Sequence, residues 1–155
     1  MRMFSLVAAC LVSVAACGGS DPIPTTLGVG DRQIVVEQPL VNWVAGNVIT
    51  GGDSCQLFVV SGVLTSTPGP FPAVVQPVSV MVFRDGMKVW SGEPGVGSTQ
   101  QRPTTGSQIG VVATSCAPAD AQEGMLVTVV YELTISPNGS SVFVASPVTP
   151  VRRSV

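Results

Sequence analysis

The 155-residue chain has no histidine, one lysine (Lys88), few aromatics and only 10% charged residues. Without an imidazole there is no Ser-His-Asp triad and no Cys-His dyad. The commonest neutral zinc ligand is missing as well. Serines are numerous, but none stands in a Gly-x-Ser-x-Gly elbow. A single lysine on an expected hairpin strand gives no Ser-Lys pair and reads as a solvated residue guarding a strand edge. The formal net charge of −2 gives no basic footprint for nucleic acid. The sequence therefore points away from an enzyme and names no catalytic residue, metal or cofactor.

Against that sparse background the N-terminus is distinctive. Met1-Arg2-Met3 carries one positive charge, and Phe4 to Ala16 is uncharged and mostly apolar. As helix this stretch would rise about 20 Å, short of a hydrocarbon core of roughly 30 Å, so it reads as a cleaved export signal. It ends in Val14-Ala15-Ala16-Cys17. That tetrad resembles the lipobox of bacterial lipoproteins: an apolar residue, two small residues, then the cysteine that receives lipid. Val7-Ala8-Ala9-Cys10 fits the same letters but leaves only half a hydrophobic segment before it. The resemblance implies cleavage after residue 16, lipidation of Cys17 and anchorage by acyl chains. Two or more chains hold stably where one is marginal. Gly18 occupies the place where aspartate would retain such a protein in the inner membrane, so the resemblance implies the outer membrane of a bacterial cell envelope. Gly18-Gly19-Ser20-Asp21-Pro22 continues as a flexible tether, with residues 17–32 expected outside the domain.

The remainder, 33–155, has the size of one domain. It is rich in Val, Thr, Ser, Gly and Pro, which is strand material cut by turn formers. With Cys10 in the leader and Cys17 lipidated, Cys55 and Cys116 remain. Two thiols in an exported domain are most simply one disulfide, with two separate buried thiols as the alternative. A bridge closing about sixty residues would contribute roughly 4 kcal/mol.

Along the chain, Gln33 to Gln38 is expected as a strand ended by Pro39, and Leu40 to Thr50 as a second strand or loose hairpin. Cys55 to Leu64, apolar on both faces, suits a sheet centre. Four prolines mark 65–77 as a long exposed loop. Asp85-Gly86 between apolar runs predicts a type I′ hairpin, with Val82 opposite Val89 and Met81 opposite Trp90. Residues 91–108 read as a second loop, and Ile109 to Ser115 as a strand. Met125 to Ile135 alternates, with Val127, Val129, Tyr131, Leu133 and Ile135 on one face. Val142 to Val151, broken by Pro147 and Pro150, is expected at a sheet edge.

These seven or so strands predict an all-β fold, a single antiparallel β-sandwich. The Met125–Val151 stretch, with its central tyrosine, Asn138-Gly139 turn and Ser-Pro-Val-Thr return strand, resembles the last hairpin of immunoglobulin-like and fibronectin type III domains. Cys116 precedes the penultimate strand, so the antibody-type core bridge is absent, and a β-barrel or a less common sandwich stays open.

The residues left to weigh are few. Asp53 and Asp85 sit in turns. Asp120 and Glu123 share a loop and would need several more oxygens to hold calcium. Glu132 faces outward. Trp43 and Trp90 are the candidate ligand-binding residues, since an exposed indole can stack on a sugar or a partner; the alternative is a place in the core, the commoner position for a large apolar ring in a chain with few aromatics. Asn138-Gly139-Ser140 matches a glycosylation sequon but reads as a turn. The expectation is a membrane-anchored envelope lipoprotein acting as a non-catalytic interaction or structural module. The alternative is a glycan- or small-ligand-binding lipoprotein. An envelope protein or a glycan is the expected partner.

Overall fold

A computed structural model of the chain describes residues 22–50, 53–71, 75–94, 107–135 and 139–154. The candidate lipidation residue Cys17 and the sequon residue Asn138 lie outside them. The fold is all-β. The strands are β1 (Thr26–Val29), β2 (Arg32–Thr50), β3 (Asp53–Thr67), β4 (Val75–Arg84), β5 (Met87–Gly92), β6 (Gln108–Cys116), β7 (Leu126–Ile135), β8 (Ser140–Ala145) and β9 (Thr149–Ser154). Hydrogen bonding runs continuously in the order β5-β4-β7-β9-β2-β3-β6, with β1 added to β2 and β8 to β7. A single bridge between Pro94 and Ala113 brings the two ends of that path together, so the sheet is nearly a closed barrel.

The core follows from strand alternation. Phe58, Val60 and Leu64 of β3 are fully buried, as are Val80 and Val82 of β4, and Val129, Tyr131 and Leu133 of β7. β7 thus buries the face its alternation predicts, except that Ile135 is only half-buried.

At two breaks the chain changes strand partners. At the first, β2 does not end at Pro39. It bulges between Glu37 and Leu40, with Gln38 at φ 49°. Proline has no N–H for a ladder, so a bulge is the way to keep it in a strand. Before the bulge β2 pairs with β1; after it, the segment from Val41 to Val44 pairs in parallel with β9. Thr149 Oγ1 donates to the Pro39 carbonyl at 3.3 Å, tying the bulge to the start of β9.

The second break is at Ser146-Pro147-Val148, between β8 and β9. β8 pairs with β7, whereas β9 pairs with β7 over two residues and then with β2. Buried Ser146 holds the crossing: its N–H donates to the Val129 carbonyl at 2.7 Å, and its Oγ accepts from the Val129 N–H at 3.0 Å. The return strand is therefore two strands, and β9 is interior, joining the two halves of the sheet instead of lying at an edge.

Other expectations are corrected in detail. Thr26–Val29, within the stretch expected as tether, forms β1. β3 runs on to Thr67, and Phe71 is 8% exposed and part of the core, so the proline-rich segment is shorter and less exposed than its composition suggests. The Asp85-Gly86 turn has φ of 50° and 78°, both positive as a type I′ turn requires. Its hairpin register differs: a bulge between Val82 and Phe83 sets Val82 opposite Trp90 and Met81 opposite Ser91. A one-residue slip turns a side chain to the other face, and here it puts Trp90 into the core.

Candidate functional site

Cys55 and Cys116 form a disulfide, with Cα atoms 5.6 Å apart. It joins neighbouring strands β3 and β6 at the end of their ladder, where Cys116 pairs with Leu57 and Cys55 lies two residues before Leu57. The bridge lies within one side of the sheet, unlike a bond spanning a sandwich core.

The two tryptophans both sit toward this end but differ in role. Trp90 is only 6% exposed. Its Nε1–H donates to the Cys116 carbonyl at 3.0 Å, and its ring lies 5.5 Å from that of Phe58. The Trp90 face is spent on packing, so it offers no stacking platform to a ligand in solvent. Trp43 is half-buried. Its Nε1–H donates to Gln56 Oε1 at 2.5 Å, and the Arg153 guanidinium lies 5.5 Å from the ring centroid. Of the two candidate platforms, Trp43 alone has ring surface near solvent, and a cation already covers part of it.

The carboxylates are dispersed. Asp120 pairs with Arg84 at 2.8 Å. Glu132 Oε1 accepts from Ser141 Oγ at 2.7 Å, and Glu37 Oε2 from Thr65 Oγ1 at 3.0 Å. Glu123 is exposed, as is Lys88. Among the described residues, no group of three or more His, Cys, Asp or Glu is placed to hold a metal ion.

Among the described residues, three shallow grooves stand out. One, of about 680 Å³, is polar, lies along the β5–β6 seam and includes Ser79, Ser91, Glu93, Thr114 and Glu132. A second, of about 520 Å³, lies beside the Gln38-Pro39 bulge, with Ser61, Val63 and Arg152. The third, of about 550 Å³, is apolar and lies where the chain enters the domain, between Pro22-Ile23 and Phe83, Thr128, Val130 and Ala145. The Pro24 carbonyl accepts from the Ala145 N–H at 2.8 Å and fixes that entry against β8.

The most exposed large apolar side chains among the described residues are Met87 at 63%, Leu126 at 63% and Val148 at 64%. Sequence reasoning passed over them. Leu126 was legible, since it alternates with Val127 and belongs to the outer face with Thr128. Val148 comes next to that face only through the crossing at Pro147, and Met87 reaches the same end of the sheet only through its pairing with Arg84 at the β4–β5 turn.

A second unread feature lies inside the core. The Tyr131 phenol reaches across to Gly62 of β3. Its hydroxyl is buried with no hydrogen-bond partner among the described residues, and burial pushes its pKa far above the ordinary phenol value. Comparison with protein-family models and with curated proteins finds no match to this chain.

Proposed function

We propose that this chain is a lipoprotein of a bacterial cell envelope, anchored in the outer membrane through Cys17, and that its β domain is a non-catalytic interaction or structural module. The observation that carries the reading is the Cys55–Cys116 disulfide. Disulfides persist in oxidising, exported compartments. The lipobox-like tetrad ending at Cys17 points to export independently. The two lines together account for every cysteine after residue 16.

The domain reads as an immunoglobulin-like sandwich drawn toward a barrel. Antiparallel β2–β3–β6 make one side and β5–β4–β7–β8 the other, and the broken last strand reaches back to pair in parallel with β2. Such a scaffold presents loops and edges on a rigid core. The polar contacts described above are pairwise and mutually satisfied, which suits a surface that binds or spaces more than one that reacts.

Membrane fractionation tests the anchor. Wild-type protein should stay with washed membranes, and Cys17→Ala should appear in the soluble fraction. Equal partitioning of the two would defeat the reading. Glycan or small-ligand binding is the second reading, and half-exposed Trp43 with Arg153 favours it. Its test is indole fluorescence against a panel of cell-wall oligosaccharides, where a saturable change lost in Trp43→Phe is the expected positive result.

A further inference from the structure

We infer that the chain-entry end of the domain rests on the lipid bilayer itself, with Met87, Leu126 and Val148 as its apolar contacts. This rests on the proposed anchorage at Cys17 and specifies what the domain does with it.

The first argument is reach. Five residue steps separate Cys17 from Pro22, and an extended chain spans at most about 3.6 Å per residue, so roughly 18 Å. Pro22 and Ile23 are seated on the domain, beside Phe83, Asp85 and Gly86. The β4–β5 turn is therefore held within a short distance of any bilayer that holds the acyl chains. The opposite end, with the Gly30-Asp31 turn, the start of β6 and Gly139, lies a strand length farther away.

The second argument is where exposed apolar side chains gather. Leu126 pairs with Pro150, two residues from Val148. Met87 pairs with Arg84, whose guanidinium reaches Met125 Sδ at 3.3 Å, next to Leu126. The three side chains thus border one end of the sheet, and each is over 60% exposed, whereas Val78 and Phe143, farther along the outer face, are 39% and 38% exposed. An apolar group left in water at that end gains by entering the headgroup boundary, and tethering raises its local concentration enough for weak contacts to act.

The third argument is charge. Arg84 is taken up by Asp120, Arg153 lies over the Trp43 ring, and exposed Asp85 and Glu123 stand against exposed Lys88 and Arg152 at the same end. The contact is therefore apolar, and it should not depend on anionic lipid.

Hydrogen exchange on the full lipidated protein in vesicles of phosphatidylethanolamine and phosphatidylcholine tests this, with flotation measured on the same samples. Relative to the soluble Cys17→Ala chain, exchange should slow at residues 85–88, 124–128 and 147–150 and stay unchanged at 30–31, 108–110 and 139–141. Adding phosphatidylglycerol should leave the pattern unaltered. The lipidated triple variant Met87→Glu, Leu126→Glu, Val148→Glu should float as well as wild type and lose the protection, with its far-end exchange reporting an intact fold. Wild-type protein that floats without protection at this end, or with protection at the far end, overturns the inference and leaves the anchor standing. Protection seen in native envelope fragments and missing from vesicles also overturns it, in favour of a protein partner. Failure of the wild type to float defeats the anchor reading and the inference together.

Discussion

Replacing Tyr131 by phenylalanine should stabilise this protein. Tyr131 is fully buried, and its hydroxyl lies against Gly62 with no hydrogen-bond partner among the described residues. A buried hydroxyl without a partner costs roughly 1–3 kcal/mol, while the aromatic ring alone keeps its packing. Tyr131→Phe should therefore gain about 1 kcal/mol, or roughly 3–5 °C in Tm for a domain of this size. The neighbouring position gives the complementary test. A Cβ added at Gly62 would overlap the Tyr131 hydroxyl and meet its Cζ at 3.1 Å, both in a rigid core. Gly62→Ala should cost about 1–3 kcal/mol by overpacking. In the Tyr131→Phe background the worst overlap is gone, so the cost of Gly62→Ala should fall by about 1 kcal/mol. Urea denaturation of the oxidised single and double variants, followed by circular dichroism, measures all three quantities. Destabilisation by Tyr131→Phe, or a Gly62→Ala cost indifferent to residue 131, would refute the reasoning.

Other consequences follow from the same contacts. The phenol pKa is raised by burial, so above pH 10 the unfolded chain releases a proton that the folded chain keeps, and stability falls with rising pH by up to about 1.4 kcal/mol per unit. Alkaline melts should show this decline in wild type, and Tyr131→Phe should lose that part of it; equal slopes would contradict the assignment. Reducing the Cys55–Cys116 bridge, with its sequence separation of 61, should cost about 4 kcal/mol, read as a lowered urea midpoint with and without reductant. Ser146→Ala strands the buried Val129 N–H and should cost about 1–2 kcal/mol, with faster amide exchange at Val129 as the local signature.

Much of the strand pattern was legible because its causes are local. Asp85-Gly86 makes its turn through positive φ, and β7 buries the face its alternation marks. The legible features end where a residue's role depends on a distant strand. The simple hairpin register sets Trp90 opposite Met81, and only the bulge between Val82 and Phe83, which sets it opposite buried Val82, turns it onto Phe58. Pro39 and Pro147 read as strand ends because proline breaks ladders. In the fold they are the places where a strand changes partners, a role fixed by β9. The disulfide could be inferred by counting cysteines, whereas its place between adjacent strands required the β3–β6 register. The apolar chain-entry end has no sequence signature, because Met87, Leu126 and Val148 come from three separate segments.

The central claim is that the chain is held to a membrane through Cys17. Mass spectrometry of the N-terminal peptide from protein purified out of membranes tests it directly. The account predicts a peptide that begins at Cys17 and carries the added mass of a diacylglyceryl group, with or without an acylated amine. An unmodified Cys17, or a mature chain that begins elsewhere, would contradict it.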